Sequence, residues 1–151
     1  MEVYFSDSLI KGDNILADNN SMQSLELLWQ INGKTTMAEW QQASVTDINS
    51  LEFIYRGGYL QIGYQLSGNN RGYKNGTLGS AKNSGWELVS RYSHFKLSEE
   101  DQKSEIYSIG VNYVATSKLQ FKADYINAKQ VISGIELNSD DAVSLRMQYS
   151  F

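Results

Sequence analysis

Alternation with a period of two residues, held for about 10 to 12 residues at a time, constrains this chain most. The last segment shows it most clearly. Val143, Leu145, Met147, Tyr149 and Phe151 fall on one face, and Ser144, Arg146, Gln148 and Ser150 on the other. A helix would scatter the two sets around its axis, whereas a strand separates them. The pattern returns in residues 23–32, 58–67, 85–96, 105–115 and 118–128, and more weakly in 35–45. Residues 2–10 allow one further short strand. The stretch from Leu51 to Tyr55 starts the strand that continues to Leu66, with a bulge expected at Gly57-Gly58. The chain therefore reads as all-β, with seven or eight antiparallel strands in one region spanning residues 1–151.

The connections support hairpins. Asn32-Gly33 supplies the positive φ angles that a tight two-residue turn needs, and Ala115 to Lys118 is short. Residues 97–104, with Glu99-Glu100-Asp101, and residues 132–141 read as longer, charged loops. The longest connection, 67–84, carries Arg71, Lys74 and Lys82 and no acid. A loop of that length inside a compact region is usually functional or disordered.

Absences narrow the class. No apolar run exceeds three residues in the 151, and a transmembrane helix needs about 20. A membrane β-barrel stays open, because its strands are apolar only at every second position. With no cysteine there is no disulfide, zinc ribbon or thiol nucleophile. His94 is the only histidine, so a histidine-based metal site is not expected, and no elbow-type serine accompanies it. His94 reads as an interfacial residue, and no catalysis, metal or cofactor is expected. A net charge of −4 argues against nucleic acid. The start, Met1-Glu2-Val3-Tyr4-Phe5, has neither the basic start nor the apolar core of a signal peptide.

Alternation fits a soluble sandwich, with its apolar face inward, or an outer-membrane barrel, with that face on lipid. Three features favour the barrel. Aromatic residues sit on the apolar face near strand ends (Trp29, Trp40, Trp86, Tyr107, Tyr113, Tyr125, Tyr149), as a membrane girdle requires. The strands exceed the usual 5 or 6 residues of soluble sheets. The chain also closes on a strand ending in Phe151, an aromatic terminus typical of outer-membrane barrels of Gram-negative bacteria.

Specific motifs add to this. The stretch Gly58-Tyr59-Leu60-Gln61-Ile62-Gly63-Tyr64-Gln65-Leu66-Ser67-Gly68 is followed by Gly85-Trp86-Glu87-Leu88-Val89-Ser90-Arg91-Tyr92-Ser93. Then come Ile109-Gly110-Val111-Asn112-Tyr113 and Leu119-Gln120-Phe121-Lys122-Ala123-Asp124-Tyr125. In this order they resemble the C-terminal part of the phosphate-selective porin O and P family, over about residues 58–151. The resemblance implies a trimeric outer-membrane porin with 16-stranded monomers, of which this chain would be a C-terminal fragment of about half a barrel. It implies small anions such as phosphate or polyphosphate as passing solutes, and outer-membrane lipid and lipopolysaccharide as surroundings. It also implies a periplasmic C-terminus, which makes 97–104 and 132–141 extracellular. The long 67–84 connection would then be periplasmic and fold back into the lumen.

The candidate lumen residues follow. Arg71, Lys74 and Lys82 would present positive charge at the periplasmic mouth, or serve only as solvated loop charges. On the strands, Arg91, Lys122 and Arg146 stand against Glu26, Glu39, Glu87 and Asp124, so this part of the wall is not uniformly basic. These charges read first as cross-strand partners that hold the wall. Glu99-Glu100-Asp101 reads as a solvated charge run or a divalent-cation site near lipopolysaccharide. Two other readings remain: a self-contained eight-stranded barrel with a structural or adhesion role, and a soluble β-sandwich binding module.

Overall fold

The computed structural model describes residues 17–67, 72–74, 77–78, 84–98 and 101–149. The suggested strand in 2–10 lies outside them, as do Arg71, Lys82, Glu99, Glu100 and Phe151. Seven long strands form one antiparallel sheet in chain order: β1 (Ala17–Ile31), β2 (Lys34–Asp47), β3 (Glu52–Gln65), β6 (Gly85–Leu97), β7 (Gln102–Val114), β8 (Leu119–Ile132) and β9 (Ile135–Tyr149). Between β3 and β6, the short strands β4 (Tyr73–Lys74) and β5 (Thr77–Leu78) pair as a separate two-stranded sheet. Apart from β3 and β6, whose connection holds β4 and β5, each neighbouring pair of long strands is a direct up-and-down hairpin, the simplest route to a barrel wall.

Local chemistry sets the turns. Asn32 and Gly33, at φ 47° and 75°, make the two-residue turn between β1 and β2. Ser133 and Gly134, at φ 51° and 79°, do the same between β8 and β9. Between β7 and β8, the Thr116 hydroxyl accepts the amides of Lys118 and Leu119 at 3.2 and 3.1 Å. Between β2 and β3, one Asp47 carboxylate oxygen accepts the amides of Asn49 and Leu51, each at 2.8 Å. This turn lies beyond the apolar part of the sheet. The Leu51 amide above all, with the Asn49 side chain and amide, outweighs desolvation and holds the Asp47 carboxyl below its ordinary value of 3.8.

Three expectations change. The 132–141 loop is the Ser133–Gly134 turn followed directly by β9, and 97–104 shrinks to a turn around Ser98 and Asp101. The strands are accordingly 13 to 15 residues long. In β9 the outer end joins Ile135 and Leu137 to the polar run Asn138 to Asp141, and a register shift opposite it breaks the alternation. Gly57 and Gly58 form no bulge: they pair in register with Gln41 and Trp40. Their smallness serves close approach instead, since a Cβ on Gly58 would stand 2.6 Å from the Glu39 carbonyl oxygen. The register shifts occur at Ala17/Asn19 and Gln130/Val131.

The sheet is built inside out relative to a soluble sandwich. Leu145 is 80% exposed, Val143 74% and Leu25 71%, whereas Gln65 is 4% and Glu87 6% exposed. A sheet that shelters its polar face and bares its apolar face curls toward the polar side. Such a surface suits lipid outside and water inside.

Candidate functional site

The outward face carries two aromatic belts. The lower one runs through Tyr149 on β9, Phe121, Tyr113 and Trp86 on β8, β7 and β6, Tyr64 on β3 and Trp29 on β1. Phe121, Tyr113 and Trp86 share one cross-strand row, and the Trp86 and Tyr113 rings lie 4.5 Å apart. Tyr149 sits two residues below that row, opposite Leu119. Tyr64 sits two above it, opposite Leu88, and Trp29 two higher again, opposite Thr36. The belt thus climbs six residues over six strand-to-strand steps. At strand spacings that is about 20 Å of rise over about 29 Å of width, a slope of about 35°.

The upper belt is Trp40 on β2, Tyr92 on β6, Tyr107 on β7 and Tyr125 on β8. It climbs four residues over four steps, at the same slope. Strands of membrane barrels tilt by about 35–45°. Two belts drifting in parallel at that angle are level rings around a barrel of tilted strands. Between them the outward side chains are apolar or small: Leu88, Ser90, Ile109, Val111 and Ala123. At the upper belt the Tyr125 hydroxyl donates to Asp141 at 2.8 Å, and the Asn127 amide donates to the same oxygen. The alternation in the sequence singled out Trp29, Trp40, Trp86, Tyr107, Tyr113, Tyr125 and Tyr149, and all seven lie on this face. Tyr64, Tyr92 and Phe121 belong with them. Alternation puts these three on the apolar face as well, and the register between strands sets their level in the belts.

The polar face carries the candidate solute-facing groups. One row crosses five strands: Gln65, Glu87, Asn112, Lys122 and Arg146. The Asn112 amide donates to Glu87 at 2.7 Å. Lys122 and Arg146 stand directly opposite each other across β8 and β9. Asp124 lies opposite Ser144 on one side and Gly110 on the other. Its carboxylate occupies the space above Gly110, where a Cβ would come within 2.1 Å. Arg91 stacks its guanidinium 3.8 Å from the centre of the Tyr59 ring and donates to Ser93 at 3.0 Å. A polar recess of about 150 Å³ collects Arg91, Lys122, Glu87, Asp124 and Asn112.

Farther round the wall, Glu26 and Glu39 face each other across β1 and β2. Gln41 donates to Glu39. The structure therefore gathers Arg91, Lys122, Arg146, Glu87 and Asp124 on β6 to β9, and leaves Glu26 and Glu39 several strands away. Of the three loop cations, Lys74 lies on β4, and Arg71 and Lys82 are outside the described residues. Among the described residues no group of three His, Cys, Asp or Glu side chains could hold a metal ion.

A one-layer sheet with its apolar face outward, level aromatic belts and a charged inner face is the wall of an outer-membrane β-barrel pore. The comparisons name the family. The sequence profile of the phosphate-selective porin O and P family matches residues 6–151, and the chain belongs to that family. It is 25% identical to Porin O of Pseudomonas aeruginosa over 161 aligned positions, covering 88% of this chain. The match spans 36% of that relative's own length. The soluble-sandwich reading is overturned by this membership and by the exposed apolar face.

Proposed function

We propose that this chain forms part of the wall of a passive diffusion channel for small anions, with phosphate-sized oxyanions as the solute class. The observation that carries the reading is the Lys122 and Arg146 pair on the sheltered polar face. Like charges directly opposite in a sheet repel. Two such cations on a water-facing wall are eased by a passing anion, which exchanges part of its hydration for their donors. Asn112 and Ser108 add neutral donors beside them, and Glu87 and Asp124 keep the site from holding an anion too tightly to release it. The phosphate preference is supported by the family name alone.

Sheet edges cannot face lipid unpaired. The outer edges of β1 and β9 are therefore closed by further strands in the working barrel, and the relative's greater length supports this. Trimeric assembly follows from the family resemblance. Cations at Arg71, Lys74 and Lys82 would extend the attraction to the periplasmic mouth.

The test is reversal potential in a salt gradient, with the whole protein in a planar bilayer. Anion preference is expected in the parent and reduced in Lys122→Gln/Arg146→Gln. A conducting channel with the same preference in both would overturn the assignment. Replacing Arg71, Lys74 and Lys82 by Gln tests the mouth separately.

A further inference from the structure

The outward face holds a second ordered row beyond the upper belt, and it is cationic. Arg56 on β3, Lys96 on β6 and Lys103 on β7 are consecutive cross-strand partners. Lys129 on β8 stands one outward position lower. Each cation lies four residues beyond a large apolar or aromatic side chain on the outward face of its strand, Leu60, Tyr92, Tyr107 and Tyr125, and on β3 and β8 the next outward positions are Ile54 and Val131. The row therefore follows the belt below it and forms a third ring, about 13 Å farther along the tilted strands. The intervening outward positions are Gly58, His94, Glu105 and Asn127, none of them aliphatic.

Three adjacent cations in one row repel one another, a cost in stability that a sheet normally avoids. Local carboxylates offset part of it. Lys96 is 3.5 Å from Asp101 and Lys129 is 3.8 Å from Glu136, both partly exposed. Arg56 spends its Nε–H on Gln42, and its remaining N–H groups and the Lys103 ammonium point from the outer surface of the wall. The position decides the partner. Aromatic belts mark the level where acyl chains give way to headgroups, so cations one step beyond meet headgroups. Guanidinium and ammonium groups bind phosphate oxygens by charge-assisted hydrogen bonds.

We propose that Arg56, Lys96, Lys103 and Lys129 form a docking site on the outer wall for the phosphorylated headgroup of a membrane glycolipid. The site rests on the reading of the sheet as membrane-spanning and is independent of what passes through the lumen.

The test uses the whole protein in non-ionic detergent. The probes are a glycolipid carrying two phosphates, the same glycolipid after removal of both, and inorganic phosphate. Bound lipid is counted by native mass spectrometry. The parent is expected to bind the phosphorylated lipid about tenfold or more tightly than the dephosphorylated one. Arg56→Gln/Lys96→Gln/Lys103→Gln/Lys129→Gln is expected to lose that preference. A charge-keeping variant, Arg56→Lys/Lys96→Arg/Lys103→Arg/Lys129→Arg, is expected to retain it, which separates loss of charge from loss of fold.

Equal binding of the two lipids by the parent would overturn the proposal, and so would an undiminished preference in the glutamine variant. Displacement of the lipid by inorganic phosphate at the lipid's own concentration would also overturn it, by making the site one for the free ion. Bilayer conductance, measured in parallel, keeps the two readings apart. A failed channel shows as an absent current in the parent, and a failed lipid site as an unaltered lipid preference with the current intact.

Discussion

Leu145 and Arg146 are neighbours in the chain and live in different solvents. Leu145 belongs to the exposed apolar face, between Met147 and Val143, while Arg146 lies on the sheltered polar face beside Lys122. The same contrast recurs on the other long strands between the two aromatic belts. On the outward face, as far as the upper belt, function asks only for apolar bulk and for aromatic rings at two levels. On the inward face the charged residues of β6 to β9 have specific polar or aromatic neighbours, and Leu97, Val114, Ile126 and Ala128 are buried on the same face. Substitutions on the two faces should therefore fail in different ways.

The largest effect is expected from Leu145→Arg. Placed between the belts, the charge should cost about 2–4 kcal/mol of folding free energy in the bilayer, while the adjacent Ser144→Arg, opposite Asp124, should cost under about 1 kcal/mol. Denaturant unfolding in lipid vesicles measures both. Equal losses would dissolve the contrast.

Glycines sharpen it next. Gly58→Ala drives a Cβ into the Glu39 carbonyl, where the backbone of β2 must move, and about 1–3 kcal/mol is expected. On the inward face, Gly63→Ala meets nothing closer than 3.5 Å and should be nearly neutral. Thermal unfolding of the two variants in the same detergent checks the order.

The outward belts and most of the strands were legible in the sequence because period-two alternation survives wherever one face meets lipid and the other water. It failed where that pattern is interrupted. Residues 135–141 continue a strand, but Ile135 and Leu137 are cut off from the alternation that starts at Val143 by the polar run Asn138 to Asp141 and by the register shift opposite them, so the segment reads as a loop. The Gly57-Gly58 pair reads as a bulge because sequence shows flexibility and hides the Glu39 backbone that requires the space. Tyr64, Tyr92 and Phe121 join the belts through register, a relation between strands that no single segment contains. On the inner face the charged residues were legible, while their neighbours were not: Asn112 beside Glu87, Tyr59 beneath Arg91 and Gly110 beneath Asp124 all depend on pairing.

Within the inner face, charge differs by strand. Lys122→Gln/Arg146→Gln should lower the anion-to-cation permeability ratio about twofold or more, and Glu26→Gln/Glu39→Gln should raise it. Reversal potentials in a salt gradient read the sign directly. Two shifts in the same direction would show that these charges do not line the solute path.

The smallest effect belongs to the Asp47 turn. Its carboxyl titrates below the ordinary 3.8 in the folded protein. The stability it contributes is therefore fully present above the unfolded value and disappears as pH falls through the lower folded one. Asp47→Asn should lower the unfolding midpoint slightly near neutral pH, and the difference from the parent should vanish in acid. A difference independent of pH would remove the charge from the explanation.

The central claim is that odd and even residues of one strand face lipid and water respectively. The chain has no cysteine, so single substitutions report without background from it. In the whole protein in membranes, Val143→Cys, Ser144→Cys, Leu145→Cys and Arg146→Cys are treated with a small charged maleimide. The account predicts fast labelling at positions 144 and 146 and protection at 143 and 145. Uniform labelling across the four, or the opposite alternation, would contradict it.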